Sequence, residues 1–178
     1  MIRADYLSQG LERAFSRIQQ ARMRHMPVIN DDLRVKAVGF RPWQGHSLGV
    51  MVTPWFMGLM LIPREGDDWS RLQLGEKCIH EFPTGVYEFT VAEEDGIGRY
   101  QMCTLFSPMA RFTDQETTVA TAEAVLRGLI GEERRGSAAA TDISGEGNTT
   151  EPAASPQRLE ERPLSRRDLL RGRFLRRS

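Results

Sequence analysis

Cys78, His80, Cys103 and His46 are the side chains of this 178-residue sequence with the most distinctive chemistry. A thiolate and an imidazole together suggest a metal or redox centre. In an extended segment Cys78 and His80 share one face, because residues i and i+2 point the same way. Cys103 and His46 would have to join them through the fold. Their spacing argues against a site, since no C-x2-4-C or H-x3-5-H pair of the structural zinc type occurs. A core cysteine and a hydrogen-bonded histidine are therefore expected. A metal-handling or redox factor using Cys78, His80 and Cys103 is the alternative. There is also no GxSxG, P-loop or HExxH, motifs that place a nucleophile, a phosphate cradle or a zinc-bound base. The expectation is a binding module rather than an enzyme, with no metal and no cofactor.

Binding chemistry is better represented. Trp43 and Trp55 flank an uncharged stretch, each directly after a proline, in "FRPW" and "TPWFM". Proline removes a ladder donor, so both motifs belong at strand ends or edges, where side chains can face a partner. Arg41, Trp43, Trp55, Phe56 and Met57 are thus candidate partner contacts, Trp and Arg being common interface anchors. The competing reading for each is packing, as large aromatics are mostly buried. Met51, Met57, Met60, Met102 and Met109 lie in or beside the expected strands; they suit either an adaptable peptide-binding surface or core filling. Glu93, Glu94 and Asp95 form an acidic cluster that, like Asp67 and Asp68, could receive the arginines of a basic peptide in bidentate fashion. Otherwise it is a solvated turn.

The elements that must position these residues are legible from periodicity. Leu7, Leu11, Phe15 and Ile18 make the apolar stripe of an N-terminal helix ending before Pro27. "LRVKAVGF", "LGVMV", "FMGLMLI" and a short edge "KCIHEF" read as strands, with a Thr-Pro-Trp break between the second and third. "GVYEFTVAEEDGIGRYQMCTLFS" reads as a hairpin turned by Asp95-Gly96. Tyr87, Phe89 and Val91 share a face on one strand, and Tyr100, Met102 and Phe106 lie on the other. Thr113 and Glu116 have capping-box spacing before a helix striped by Val119, Ala122, Leu126, Leu129 and Ile130, with Gly131 as its stop. This predicts one α+β domain, residues 4–131, whose antiparallel or mixed sheet of about five strands is packed by an N-terminal and a C-terminal helix, both on one face. Residues 132–163, rich in Gly, Ala, Ser, Thr, Glu and Pro, read as a disordered linker to an arginine-rich tail, 164–178.

Charge divides the chain. The formal net charge is zero, but from Arg158 onward it is +5 and before that −5. An acidic body argues against binding nucleic acid or an anionic membrane. The apolar run "LGVMVTPWFMGLMLI" covers 15 residues, short of the roughly 20 needed for a spanning helix. With two cysteines and no N-terminal signal, a reducing cytoplasm is the expected compartment. In the tail, "SRRDLL" reads like the start of a twin-arginine export signal but lacks the long apolar region that follows in one. Arg166, Arg167, Leu169 and Leu170 could therefore act as an internal mimic of such a signal, or as a solvated tail.

"VGFRPWQGHSLGVMVTPWFMGLMLIP" and "FPTGVYEFTVAEEDGIGRYQMCTLFSPM" resemble the HybE-type (HupJ- or HoxT-type) assembly chaperones of uptake nickel-iron hydrogenases. "VTPWFM", "GVYEFTV" and "LFSPM" carry most of the resemblance, which covers about residues 5 to 130. It implies a non-catalytic cytoplasmic protein acting before twin-arginine export. The implied partner is the hydrogenase small-subunit precursor bearing that signal, with the large subunit also implicated.

Overall fold

The computed structural model describes residues 2–131, with side chains from residue 5. The chain runs through α1 (Ile2–Ile18), a single π-helical segment (Gln19–Met23), β1 (Lys36–Trp43), β2 (His46–Val52), β3 (Met57–Ile62), β4 (Lys77–Phe82), β5 (Gly85–Glu94), β6 (Gly98–Phe106) and α2 (Gln115–Leu129). The strands form one antiparallel sheet in the order β1-β2-β3-β6-β5-β4. The α+β architecture and both helices are as expected, with six strands where about five were anticipated. The linker and the tail, including Arg166, Arg167, Leu169 and Leu170, lie outside the described residues.

The two helices lie on opposite faces of the sheet, which corrects the expectation that both pack on one. Ala122, Leu126 and Leu129 of α2 pack with Leu48, Val50, Val52, Leu59 and Leu61. Leu11 and Phe15 of α1 pack with the alternate residues Met51, Met60 and Ile62. Strands covered on both sides need apolar side chains at every position, which is why the segment from Leu48 to Ile62 carries no charge. The hairpin shows the same division. Val91 pairs with Gln101, and Thr90 and Ala92 pair with Met102 and Tyr100. Tyr87 and Phe89 thus face α2, and Tyr100 faces α1.

Two glycines make the close packing possible. In the β1 bulge Gly39 has φ +64°, a conformation other residues rarely adopt, and a Cβ there would sit 2.7 Å from Leu126 Cδ2 of α2. Gly49 lies under the Phe40 ring, whose carbons would come within 2.4 Å of a Cβ.

β1 and β4 are the two sheet edges, yet Trp43 of one stacks on Phe82 of the other, with centroids 4.3 Å apart and planes 14° apart. Five flat strand spacings would separate the edges by about 24 Å. The sheet therefore coils until two corners meet around the α2-side core. Arg99 of β6 holds the loop before β4, donating to the carbonyls of Trp69, Ser70 and Leu72.

At the start of α2 the cap is Asp114, whose Oδ1 accepts from the Thr117 N–H at 2.7 Å. This corrects the expected Thr113–Glu116 box by one residue, because it is Asp114 that has extended geometry directly before the helix. Gly131, at φ +73°, ends α2 as expected. Among the described residues no helix is long and apolar enough to cross a membrane.

Candidate partner-binding surface

The residues singled out as partner contacts fall into three groups. Trp43 and Trp55 are half-buried, at the end of β1 and in the β2–β3 turn. Arg41 is also partly exposed, with its Nε donating to the Gly39 carbonyl at 3.2 Å. Phe56 and Met57, by contrast, are core residues and not surface. Phe56 meets the Phe15 ring edge-on at 5.9 Å under α1, and Met57 is completely buried on the α2 side. Thr53 brings this about. Its Oγ1 accepts from the Phe56 N–H at 2.9 Å and closes a turn so tight that the chain re-enters the core immediately.

The acidic hairpin tip is engaged within the chain. Glu93 takes Arg99 Nε at 2.7 Å, and Glu94 receives both terminal nitrogens of Arg22, at 2.6 and 3.1 Å. Arg17 donates to the Asp95 carbonyl at 3.3 Å. This cluster is the docking point for the end of α1 and the turn after it, so Glu93 and Glu94 already have guanidinium partners. Burial, and then the Glu94 charge, push the Tyr100 phenol up to about 12. Asp67 lies 3.3 Å from His46 Nδ1, and Asp68 accepts from the Ser70 N–H at 2.8 Å.

The thiols and imidazoles do not converge. Cys78 lies on the edge strand β4 and Cys103 on β6, with β5 between them. Burial pushes the Cys78 thiol up, disfavouring the thiolate that metals and redox chemistry require. His80 Nε2 is 2.6 Å from Gln101 Oε1, and its ring lies edge-on to Phe89 and Trp43. Among the described residues no group of three His, Cys, Asp or Glu side chains is placed to hold a metal ion. Met51, Met57, Met60 and Met109 are fully buried core filling, and Met102 is partly buried.

A surface feature that the sequence did not single out lies where three proline-containing loops meet. Asn30, between α1 and β1, knits them together. Its amide N–H donates to the Pro54 carbonyl at 2.9 Å, and its Nδ2 to the carbonyls of Met109 and Phe112 at 3.0 and 2.7 Å. Ser107 Oγ donates to the Trp55 carbonyl at 3.3 Å. Two of the loops, α1–β1 and β6–α2, line a cleft of about 500 Å³ walled by Pro27, Val28, Pro108, Ala110 and Phe112, with Asp31 and Asp32 as its charged lining. Val28 and the neighbouring Met26 are 42% and 48% exposed. Neither aspartate has an ion partner among the described residues. The available signal was "MPVINDD", a proline and an apolar pair followed by two carboxylates, but only the fold brings it beside "SPMARF".

Comparison with known proteins shows the family of the chain. A hydrogenase expression/formation protein, HupJ of Bradyrhizobium diazoefficiens, is 37% identical over 95% of this chain and 90% of its own length. A probable rubredoxin HupJ of Rhodobacter capsulatus is 41% identical over 75% of this chain, a match spanning about half (48%) of that protein. The solution structure of HybE from Escherichia coli superposes with a TM-score of 0.60, at 22% identity over 91% of this chain and 93% of that one, and shares the fold. The family model for the nickel-iron hydrogenase assembly chaperone HybE matches residues 6–172, and the chain is accordingly a member of the HybE family of hydrogenase assembly chaperones.

Proposed function

We propose that the chain holds the small-subunit precursor of a nickel-iron hydrogenase by its twin-arginine signal, in the cytoplasm, until cofactors and subunits are in place. It acts by binding alone, without catalysis or nucleic acid, and the large subunit is a further contact. The observation that carries this reading is the cleft between the α1–β1 and β6–α2 loops, which pairs exposed apolar side chains with the carboxylates of Asp31 and Asp32. A twin-arginine signal is the chemical complement, since its paired guanidinium groups precede an apolar stretch. Carboxylates bind guanidinium in bidentate fashion. The cleft takes over the role first expected of Glu93 and Glu94, which are paired within the chain. Trp55 joins the surface next to the cleft, and Arg41 and Trp43 are proposed to meet the body of the partner. An interface of ordinary size with micromolar affinity is enough for reversible holding.

The test is a titration of a labelled signal peptide carrying its two arginines, and of the same peptide with both replaced by glutamine. Asn at both Asp31 and Asp32 should weaken the arginine peptide at least tenfold and leave the glutamine peptide nearly unchanged. The arginine-dependent gain should shrink with salt. Equal binding by wild type and variant would remove the cleft from the reading. Capture of a precursor with or without its signal then separates recognition of the signal from recognition of the body.

A further inference from the structure

The edge strand β4 has a second property that signal binding does not require. The Val91 N–H donates to the Glu76 carbonyl at 2.9 Å, and the register continues through Lys77–Thr90, Cys78–Phe89 and Ile79–Glu88. Hydrogen-bonded pairs alternate along an antiparallel ladder. The backbone groups of Cys78 and His80 therefore turn toward β5, and those of Lys77, Ile79 and Glu81 turn outward. Among the described residues no strand pairs with that edge. The side chains of the same three residues are exposed on the face away from α2, and Ile79 is 60% exposed.

This edge is complementary to itself. Antiparallel pairing of two copies about Ile79 sets Ile79 opposite Ile79 and each Lys77 opposite the Glu81 of the other copy. All three positions are hydrogen-bonding ones in that register. An edge lysine ordinarily blocks strand addition, but here a carboxylate in register answers it. Lys77 Nζ is already held on that face by Glu88 at 3.1 Å. The pairing ends at Glu81, before Phe82, where Trp43 covers the corner. We infer that the protein forms a two-fold dimer through β4, joining two six-stranded sheets into one of twelve strands, with a second copy of this chain as the occupant of the edge.

Sedimentation velocity of the full chain over a range of concentrations tests this directly. Wild type should show a monomer–dimer equilibrium. Lys77→Glu creates two like-charge pairs across the axis, and Glu81→Lys creates two of the opposite sign, so each variant alone should have a dimer dissociation constant raised at least tenfold. Mixed in equal amounts, the two variants should recover the dimer, because in the mixed pair each glutamate faces a lysine. Both sites are exposed, and circular dichroism checks that the variants fold. Independently, Ile79→Cys in a Cys78→Ser background should cross-link on oxidation, since Cα atoms of a directly opposed hydrogen-bonded pair lie about 5.5 Å apart, within disulfide reach. A wild-type chain that stays monomeric up to its solubility limit would overturn the inference. So would a dimer indifferent to both charge reversals, a mixture of folded variants that stays monomeric, or a failure to cross-link.

Discussion

Trp55 and Met57 are two positions apart and do different work. Met57 is wholly enclosed by the α2-side core, whereas Trp55 keeps part of its ring in solvent while its carbonyl accepts from Ser107. Met57→Ala should cost about 2–5 kcal/mol, the usual range for emptying a close-packed methionine site, visible as a lowered denaturation midpoint. Trp55→Ala should lower stability less and weaken precursor binding more. If Trp55→Ala instead unfolds the domain, the residue belongs to the core and the proposed surface excludes it. Both residues come from one motif, and the difference arises because Thr53 reverses the chain within four residues.

At the scale of elements, α2 depends on its first turn. Hydrogen bonds from Thr117 hold the Asp114 carboxyl below its ordinary value of 3.8. A depressed folded-state value means that this contribution to stability is complete above about 4 and is lost as pH falls through the lower folded value. Thermal melts should therefore show a lower midpoint for Asp114→Ala than for wild type at neutral pH, the gap closing in strong acid. Asp114→Asn, an equally good cap, should keep the neutral-pH midpoint and lose that part of the acid dependence. Identical acid dependence in wild type and Asn variant would assign the acid loss to other carboxylates. The consequence reaches the sheet, because Leu126 of α2 seats on Gly39 in the β1 bulge.

For the whole molecule the governing feature is charge asymmetry, an acidic body carrying a basic end that contains Arg166 and Arg167. If that end competes with a precursor for the aspartates of the cleft, a chain truncated after Glu133 should bind a signal peptide more tightly than the full chain. The gain should fall as salt screens the arginines. Equal affinities would exclude competition, and weaker binding after truncation would make the tail a contact arm. The family model extends to residue 172, so the test bears on a segment within the family match.

Local information in the sequence determined most of the elements. Helical periodicity in Leu7–Ile18, the prolines of "FRPW" and "TPWFM", the Asp-Gly turn and Gly131 each act within a few residues, so the helices, strand ends and turns could be read directly. The uncharged run from Leu48 to Ile62 announced buried strands. Its absence of alternation is the mark of cover on both sides. What only the tertiary structure decided depends on residues far apart in the chain. Arg22 reaches Glu94 from 72 positions away and ties the acidic hairpin tip to the segment after α1. Asn30 draws loops nearly 80 residues distant around two aspartates. Periodicity records which face of an element is apolar, but it carries no information about which neighbour covers that face or which opposite charge arrives beside it.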